Sequence, residues 1–185
     1  MFQKLIAKIA EKLNKANVPY MIIGGQAVLL YGEPRLTKDI DITLGVGVEE
    51  HKKLLEFVEQ LKLKTLTDDP KKFVEEYMVL PVIDESSGIK IDFIFSFTLY
   101  EKEAISRAKK IKLENVEVNF ASLEDIIIHK VFAGRARDLE DIRVILLKNA
   151  EFDKEYILKW LNEFDKSMSE NFTERFKSII KEKQQ

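Results

Sequence analysis

The sequence predicts an α+β fold of mixed α/β character: a small mixed β-sheet with flanking helices, followed by a C-terminal helical region. Two observations carry this expectation. Short apolar or alternating runs of strand character, Tyr20 to Ile23, Asp39 to Leu44, Ile89 to Phe95 and Val116 to Phe120, all lie before Ala121 and are separated by stretches of helical spacing. After Ser122 only helical spacing remains. The chain is therefore expected to divide into an α/β core over 1–121 and a helical region over 122–185 packed on that core.

The elements follow from local chemistry. Phe2, Leu5, Ile6, Ile9, Ala10 and Leu13 recur at helical spacing, and Asn17-Val18-Pro19 ends that helix. Tyr20-Met21-Ile22-Ile23 is a continuous apolar run stopped by Gly24-Gly25, a buried strand entering a tight turn, with a short helix from Gln26 to Tyr31. Asp39-Ile40-Asp41-Ile42-Thr43-Leu44 alternates with period two, so one face is apolar and the other carries both acids. Glu49 to Leu63 returns to helical spacing. Met78 to Asp84 and Ile89 to Phe95 read as a hairpin around Glu85-Ser86-Ser87-Gly88. Glu101 to Lys109 is expected as a helix, and Val116 to Phe120 as a strand. Ser122 then caps the first of four helices, covering Ile126 to Val131, Leu139 to Leu147, Tyr156 to Phe164 and Phe172 to Ile180.

Composition excludes several classes. The chain has 185 residues, 45% hydrophobic and 34% charged, and no apolar run approaches the roughly 18 residues a bilayer span needs. Its first helix is charged in every turn and lacks a signal-like cleavage site, so a cytoplasmic protein with no membrane partner is expected. The net charge of -2 offers no global field for nucleic acid. With no cysteine and two histidines, a divalent metal would have to be held by carboxylates, which favours Mg²⁺ or Mn²⁺.

Three features point to a site. Asp39 and Asp41 leave one face of a strand, where two acids repel unless a cation lies between them; solvated acids on an exposed strand account for most isolated Asp-x-Asp pairs. Gly24-Gly25, between a strand and a helix, allows backbone N–H groups to approach a phosphate, although glycine also serves packing in such turns. Asp92 interrupts the apolar run Ile89-Lys90-Ile91-Asp92-Phe93-Ile94-Phe95, and a buried acid needs a metal or an ion pair, for instance with Lys90 or an arginine.

The order of these features resembles the nucleotidyltransferase superfamily with the DNA polymerase β-like catalytic fold. Its pattern stands here as IIGGQAVLLYGEPRLTKDIDITL, with IKIDFIF supplying a third acid. The stretch Lys130 to Ile142, with Arg137-Asp138 and Asp141, is similar to a segment of the abortive-infection nucleotidyltransferase toxins and their uncharacterised relatives. The resemblance implies that Asp39, Asp41 and Asp92 are catalytic and bind metal. It implies that Gly24 and Gly25 hold a nucleoside triphosphate, that Lys130 meets phosphate charge, and that Asp138 occupies a later acidic position at the nucleotide. Arg35 and Lys38 stand just before the acidic strand as further phosphate contacts, where a solvated loop is the competing reading. The implied partners are a nucleoside triphosphate, an acceptor that is tRNA, a protein or a small molecule, and a cognate antitoxin if the chain is a toxin. The alternative function is a non-catalytic nucleotide sensor or interaction module retaining the fold. Trp160, Phe164 and Phe172 are expected to pack helices, and His51 and His129 to be ordinary helix residues.

Overall fold

The computed structural model describes residues 1–34, 36–96 and 98–183. The chain forms two compact units, Met1–Gln26 with Leu36–Ala121, and Ala27–Arg35 with Ser122–Gln185.

The first unit is built on a mixed sheet of seven strands among the described residues: β1 (Tyr20–Ile23), β2 (Asp39–Leu44), β3 (Lys64–Thr65), β4 (Val79–Asp84), β5 (Ile89–Phe95), β6 (Lys109–Leu113) and β7 (Val116–Phe120). Their order is β3-β4-β5-β2-β1-β7-β6. The pairs β2/β5 and β1/β7 are parallel, and the other neighbours are antiparallel. The helices of this unit are α1 (Phe2–Lys15), α3 (His51–Gln60), α4 (Pro70–Tyr77) and α5 (Leu99–Ser106), while α2 (Gly24–Tyr31) begins here and continues into the second unit.

Period-two patterning sets which face of the sheet is dry. Ile40, Ile42, Ile91 and Phe93 are each 0% exposed. Fully burying an aliphatic or aromatic side chain is worth about 1.5–3 kcal/mol, and a one-residue slip of β2 would bury Asp39 and Asp41 in their place. Register is thus strongly fixed. On the dry side Phe57 of α3 meets Phe93 edge-on at 5.9 Å. The apolar stripe of α1 packs on β7 and β6, and Lys8 Nζ donates to Leu61 O at 2.9 Å just past α3.

The structure departs from the sequence expectations at a few boundaries. The helix expected from Gln26 begins at Gly24. The helix expected over Glu49 to Leu63 is a 3-10 turn, Val48–Glu50, followed by α3. The helix expected to reach Lys109 ends at Ser106, because Lys109–Leu113 instead pairs with β7. Glu114 and Asn115, at φ 47° and 70°, make the left-handed two-residue turn that such a hairpin requires. Strand β3 and helix α4 stand where apolar spacing signalled no element. Their cue was Asp69-Pro70: Asp69 caps α4 by accepting from Lys72 N at 3.1 Å, and Pro70 takes the first turn.

The second unit contains α6 (Leu123–Ala133), α7 (Ala136–Lys148), α8 (Lys154–Met168) and α9 (Phe172–Lys183), so all four expected helices form. No strand occurs in it among the described residues. Ser122 Oγ accepts from Asp125 N at 3.1 Å and donates to the Asp125 carboxylate at 2.6 Å. The other oxygen of that buried carboxylate accepts from Tyr156 OH at 2.9 Å, tying α8 to α6. Phe164 and Phe172 pack between helices as expected, each against Phe132 of α6, at 5.8 and 5.1 Å, and the Trp160 ring lies 6.3 Å from that of Phe164 on the same helix. No helix among the described residues is long and apolar enough to cross a membrane.

Candidate active site

The parallel register of β2 and β5 sets Asp41 opposite Asp92 and Asp39 opposite Lys90. Neighbouring strands lie about 4.8 Å apart, and opposite residues point to the same face. Asp39, Asp41 and Asp92 therefore occupy adjacent positions on the polar face. Asp39 is exposed, and the other two are half-buried.

Burial, and then the charge of Asp39, raise the Asp92 carboxyl above its ordinary range, with Lys90 opposing them. Among the described residues no side chain makes an ion pair or hydrogen bond to that carboxylate. Among the described residues, then, no structural salt bridge accounts for this acid in an apolar strand. Asp92 is held in an environment that disfavours its charge and that a cation would relieve.

On the other side of β2, Ile23 stands opposite Asp41, and Gly24 follows at φ 62°. A methyl group placed on Gly24 would lie 1.9 Å from Asp41 Oδ2 and 2.8 Å from its Cγ. Glycine is needed here both for the left-handed backbone and for the space the acid occupies. Because α2 begins at this residue, the backbone N–H groups of Gly25 and Gln26 belong to a first turn that has no helical acceptors. Gln26 Nε2, itself buried, donates to Thr37 Oγ1 at 2.5 Å and ties that turn to the segment entering β2. Lys38 is exposed, and Arg35 lies outside the described residues.

Lys130 and Asp138 lie in the second unit, where they are partners of each other. Lys130 Nζ meets Asp138 Oδ1 at 2.8 Å and Asp141 Oδ2 at 2.7 Å, with all three side chains under 10% exposed. Arg135 Nε adds a contact to Asp138 Oδ2 at 2.6 Å. Burial acts to raise the Asp138 carboxyl, but Arg135 and Lys130 outweigh it and hold it below its ordinary range. The neighbouring His129 is held down to about 4, by burial first and by the Lys130 charge second, so it is neutral near pH 7.

The donor set fits a hard divalent cation in chemistry and backbone placement. Among the described residues no three acidic or histidine side chains are already gathered as a ligand set, the Asp41 carboxylate being turned onto Gly24. Magnesium sites commonly use one or two carboxylates and complete the shell with water and substrate phosphate. An open set of acids on a shared face suits that mode.

Residues 1–183 match the family described as nucleotidyltransferases of unknown function (DUF6036). The chain belongs to this nucleotidyltransferase family. No curated protein matches it in sequence. Its fold is similar to that of the antibiotic-resistance factor ANT(2'')-Ia in solution, with TM-score 0.58 and 19% identity over 88% of this chain and 92% of that one. An antigenic nucleotidyltransferase-like protein from Paracoccidioides brasiliensis gives TM-score 0.59 and 14% identity over 95% of this chain and 91% of that one. The lincosamide antibiotic adenylyltransferase LnuA, with lincomycin bound, gives 0.55 and 15% over 77% and 94%. At these identities the likeness is one of fold.

Sequence reasoning named Lys90 only as a partner for Asp92 and did not place it across from Asp39; it also missed Pro81 of β4 across from Asp92 and the Gln26–Thr37 contact. The first two depend on strand order, which a single sequence does not reveal. The third joins residues eleven apart whose types are common in loops.

Proposed function

We propose that this nucleotidyltransferase moves a nucleoside monophosphate from a nucleoside triphosphate to a hydroxyl-bearing acceptor, using Mg²⁺ or Mn²⁺ held by Asp39, Asp41 and Asp92. The supporting observation is the pairing of Asp41 with Asp92 across two parallel strands, with Gly24 directly against Asp41. The chemistry is assigned to the α/β core, residues 1–121.

Gly24, Gly25 and the first turn of α2 hold the triphosphate through backbone N–H groups and the positive end of the helix. Bound at the acids, the cation would offset charge on the phosphates and lower the pKa of the acceptor hydroxyl. Asp92 takes the hydroxyl proton. Burial raises its pKa and makes it a stronger base than an ordinary carboxylate. The acceptor oxygen bonds to the α-phosphorus, and the bond from that phosphorus to the bridging oxygen breaks. Pyrophosphate leaves with the electron pair. Lys130 and Asp138 are assigned to nucleotide binding on the family resemblance alone, with Asp138 and Asp141 fixing the Lys130 ammonium, and Arg35 on its place in the sequence just before the acidic strand.

The test is transfer of label from α-³²P nucleoside triphosphates, with Mg²⁺, to fractions of a cell extract: RNA, protein and small molecules. Wild type labels one fraction, and Asp41→Ala labels none. Nucleotide binding without transfer to any fraction would instead favour the non-catalytic sensor. Growth arrest on expression of wild type but not Asp41→Ala would support the toxin version and its antitoxin partner.

A further inference from the structure

The row of paired residues that carries the acids continues beyond them. It runs from Ile23 through Asp41 and Asp92 to Pro81, and Leu66 N donates to Pro81 O at 2.9 Å. In the next row Ile94 stands opposite Val79. Leu80 and Val82 are 0% exposed on the dry face, so Val79 and Pro81 share the face of the acids. Just before Val79, the ring of Tyr77 lies 4.7 Å from that of Phe73. Leu66 is 45% exposed and Tyr77 is 56% exposed. Exposed apolar side chains grouped beside polar chemistry are a common mark of a binding surface.

The charge around this ledge is not that of a nucleic-acid site. Residues 64–79 contain three lysines (64, 71, 72) against four acids (68, 69, 75, 76). Lys64 is paired with Glu85 at 2.9 Å and Lys71 with Glu75 at 3.8 Å. A phosphate backbone is held by uncompensated cations, and here they are largely offset.

We infer that this ledge is the acceptor subsite, and that the acceptor is a small hydroxyl-bearing molecule whose apolar face lies on Leu66, Pro81, Ile94 and Tyr77 with its hydroxyl toward Asp92. This rests on the catalytic reading above. Pro81 is apolar where it adjoins Asp92, so on that side the carboxylate meets no donor that competes with the acceptor hydroxyl.

The experiment follows amide shifts of the full-length ¹⁵N-labelled protein with Mg²⁺ and a non-hydrolysable nucleoside triphosphate analogue. Three probes are titrated: octyl glucoside below its micelle concentration, methyl glucoside with the same hydroxyls and no apolar arm, and a short RNA stem. Octyl glucoside is expected to shift Leu66, Tyr77 and Ile94 and to bind at least about tenfold more tightly than methyl glucoside. Leu66→Glu and Tyr77→Glu, both at exposed positions, are expected to weaken octyl glucoside binding about fivefold or more while leaving the nucleotide shifts at Gly24 and Asp41 in place. RNA shifting the ledge amides, or octyl glucoside failing to, overturns the proposal. Absence of nucleotide shifts at Gly24 and Asp41 would defeat the catalytic reading instead, so the two failures are distinguishable.

Discussion

At Gly24 chemistry and stability require the same residue, whereas at Asp92 they pull in opposite directions. Gly24→Ala places a methyl group where Asp41 Oδ2 now lies and imposes a left-handed backbone on a residue with a side chain. A loss of about 1–2 kcal/mol in stability is expected, read by urea unfolding. Loss of about 100-fold or more in nucleotide transfer should accompany it, since the acid must move. Asp92→Asn should behave differently, because the raised Asp92 pKa means that ionising this group costs folding free energy. In acid both the native and the unfolded carboxyl are protonated, so the variant gains nothing there. As pH rises through the raised folded pKa, wild type loses stability that the variant keeps. At neutral pH without metal, Asp92→Asn should melt higher than wild type and be inactive. Added Mg²⁺ with nucleotide should close that gap by stabilising only wild type. A variant that melts lower than wild type at neutral pH would show that Asp92 has a structural partner.

At the scale of elements, the Lys130 triad joins α6 to α7. Lys130→Met removes the buried ammonium that Asp138 and Asp141 share, leaving Asp138 only its contact with Arg135, and should cost about 3–5 kcal/mol by denaturant titration. The triple variant Lys130→Met, Asp138→Asn, Asp141→Asn should recover most of that stability. If Lys130 also meets nucleotide, the triple variant is folded and binds nucleotide weakly; if it binds as wild type does, the lysine serves only the helix pair. These elements also show what the sequence made legible. β2 and β5 were found to the residue because one face is wholly apolar, and strict alternation survives only when burial is one-sided. Helix α4 was missed because Val74 alone is buried along it, which leaves no periodic stripe. Strand β6 was missed because only Ile111 and Leu113 of it are apolar and neither is fully buried, its lysines at 109, 110 and 112 lying on an edge strand, where charge guards against further pairing. Of the site, Gly24, Asp39, Asp41 and Asp92 could be named from local pattern. That Asp41 faces Asp92 depends on β5 pairing in parallel with β2 although fifty residues separate the two positions, a tertiary outcome no local signal encodes.

Across the whole molecule, the α/β unit supplies the acids and the glycine turn, and the helical unit carries the Lys130 triad and the Asp125–Tyr156 tie. The catalytic reading needs the acids of the first unit above all else. Its most direct test is release of pyrophosphate from a nucleoside triphosphate, with Mg²⁺ and cell extract as the source of acceptor. Wild type should be compared with Asp39→Ala and Asp41→Ala, each shown to be folded by circular dichroism. Both substitutions lie on the polar face and leave the apolar face of β2 untouched. Release by wild type, with neither variant rising above background, is the predicted result; release from either variant at a rate comparable to wild type would contradict the assignment.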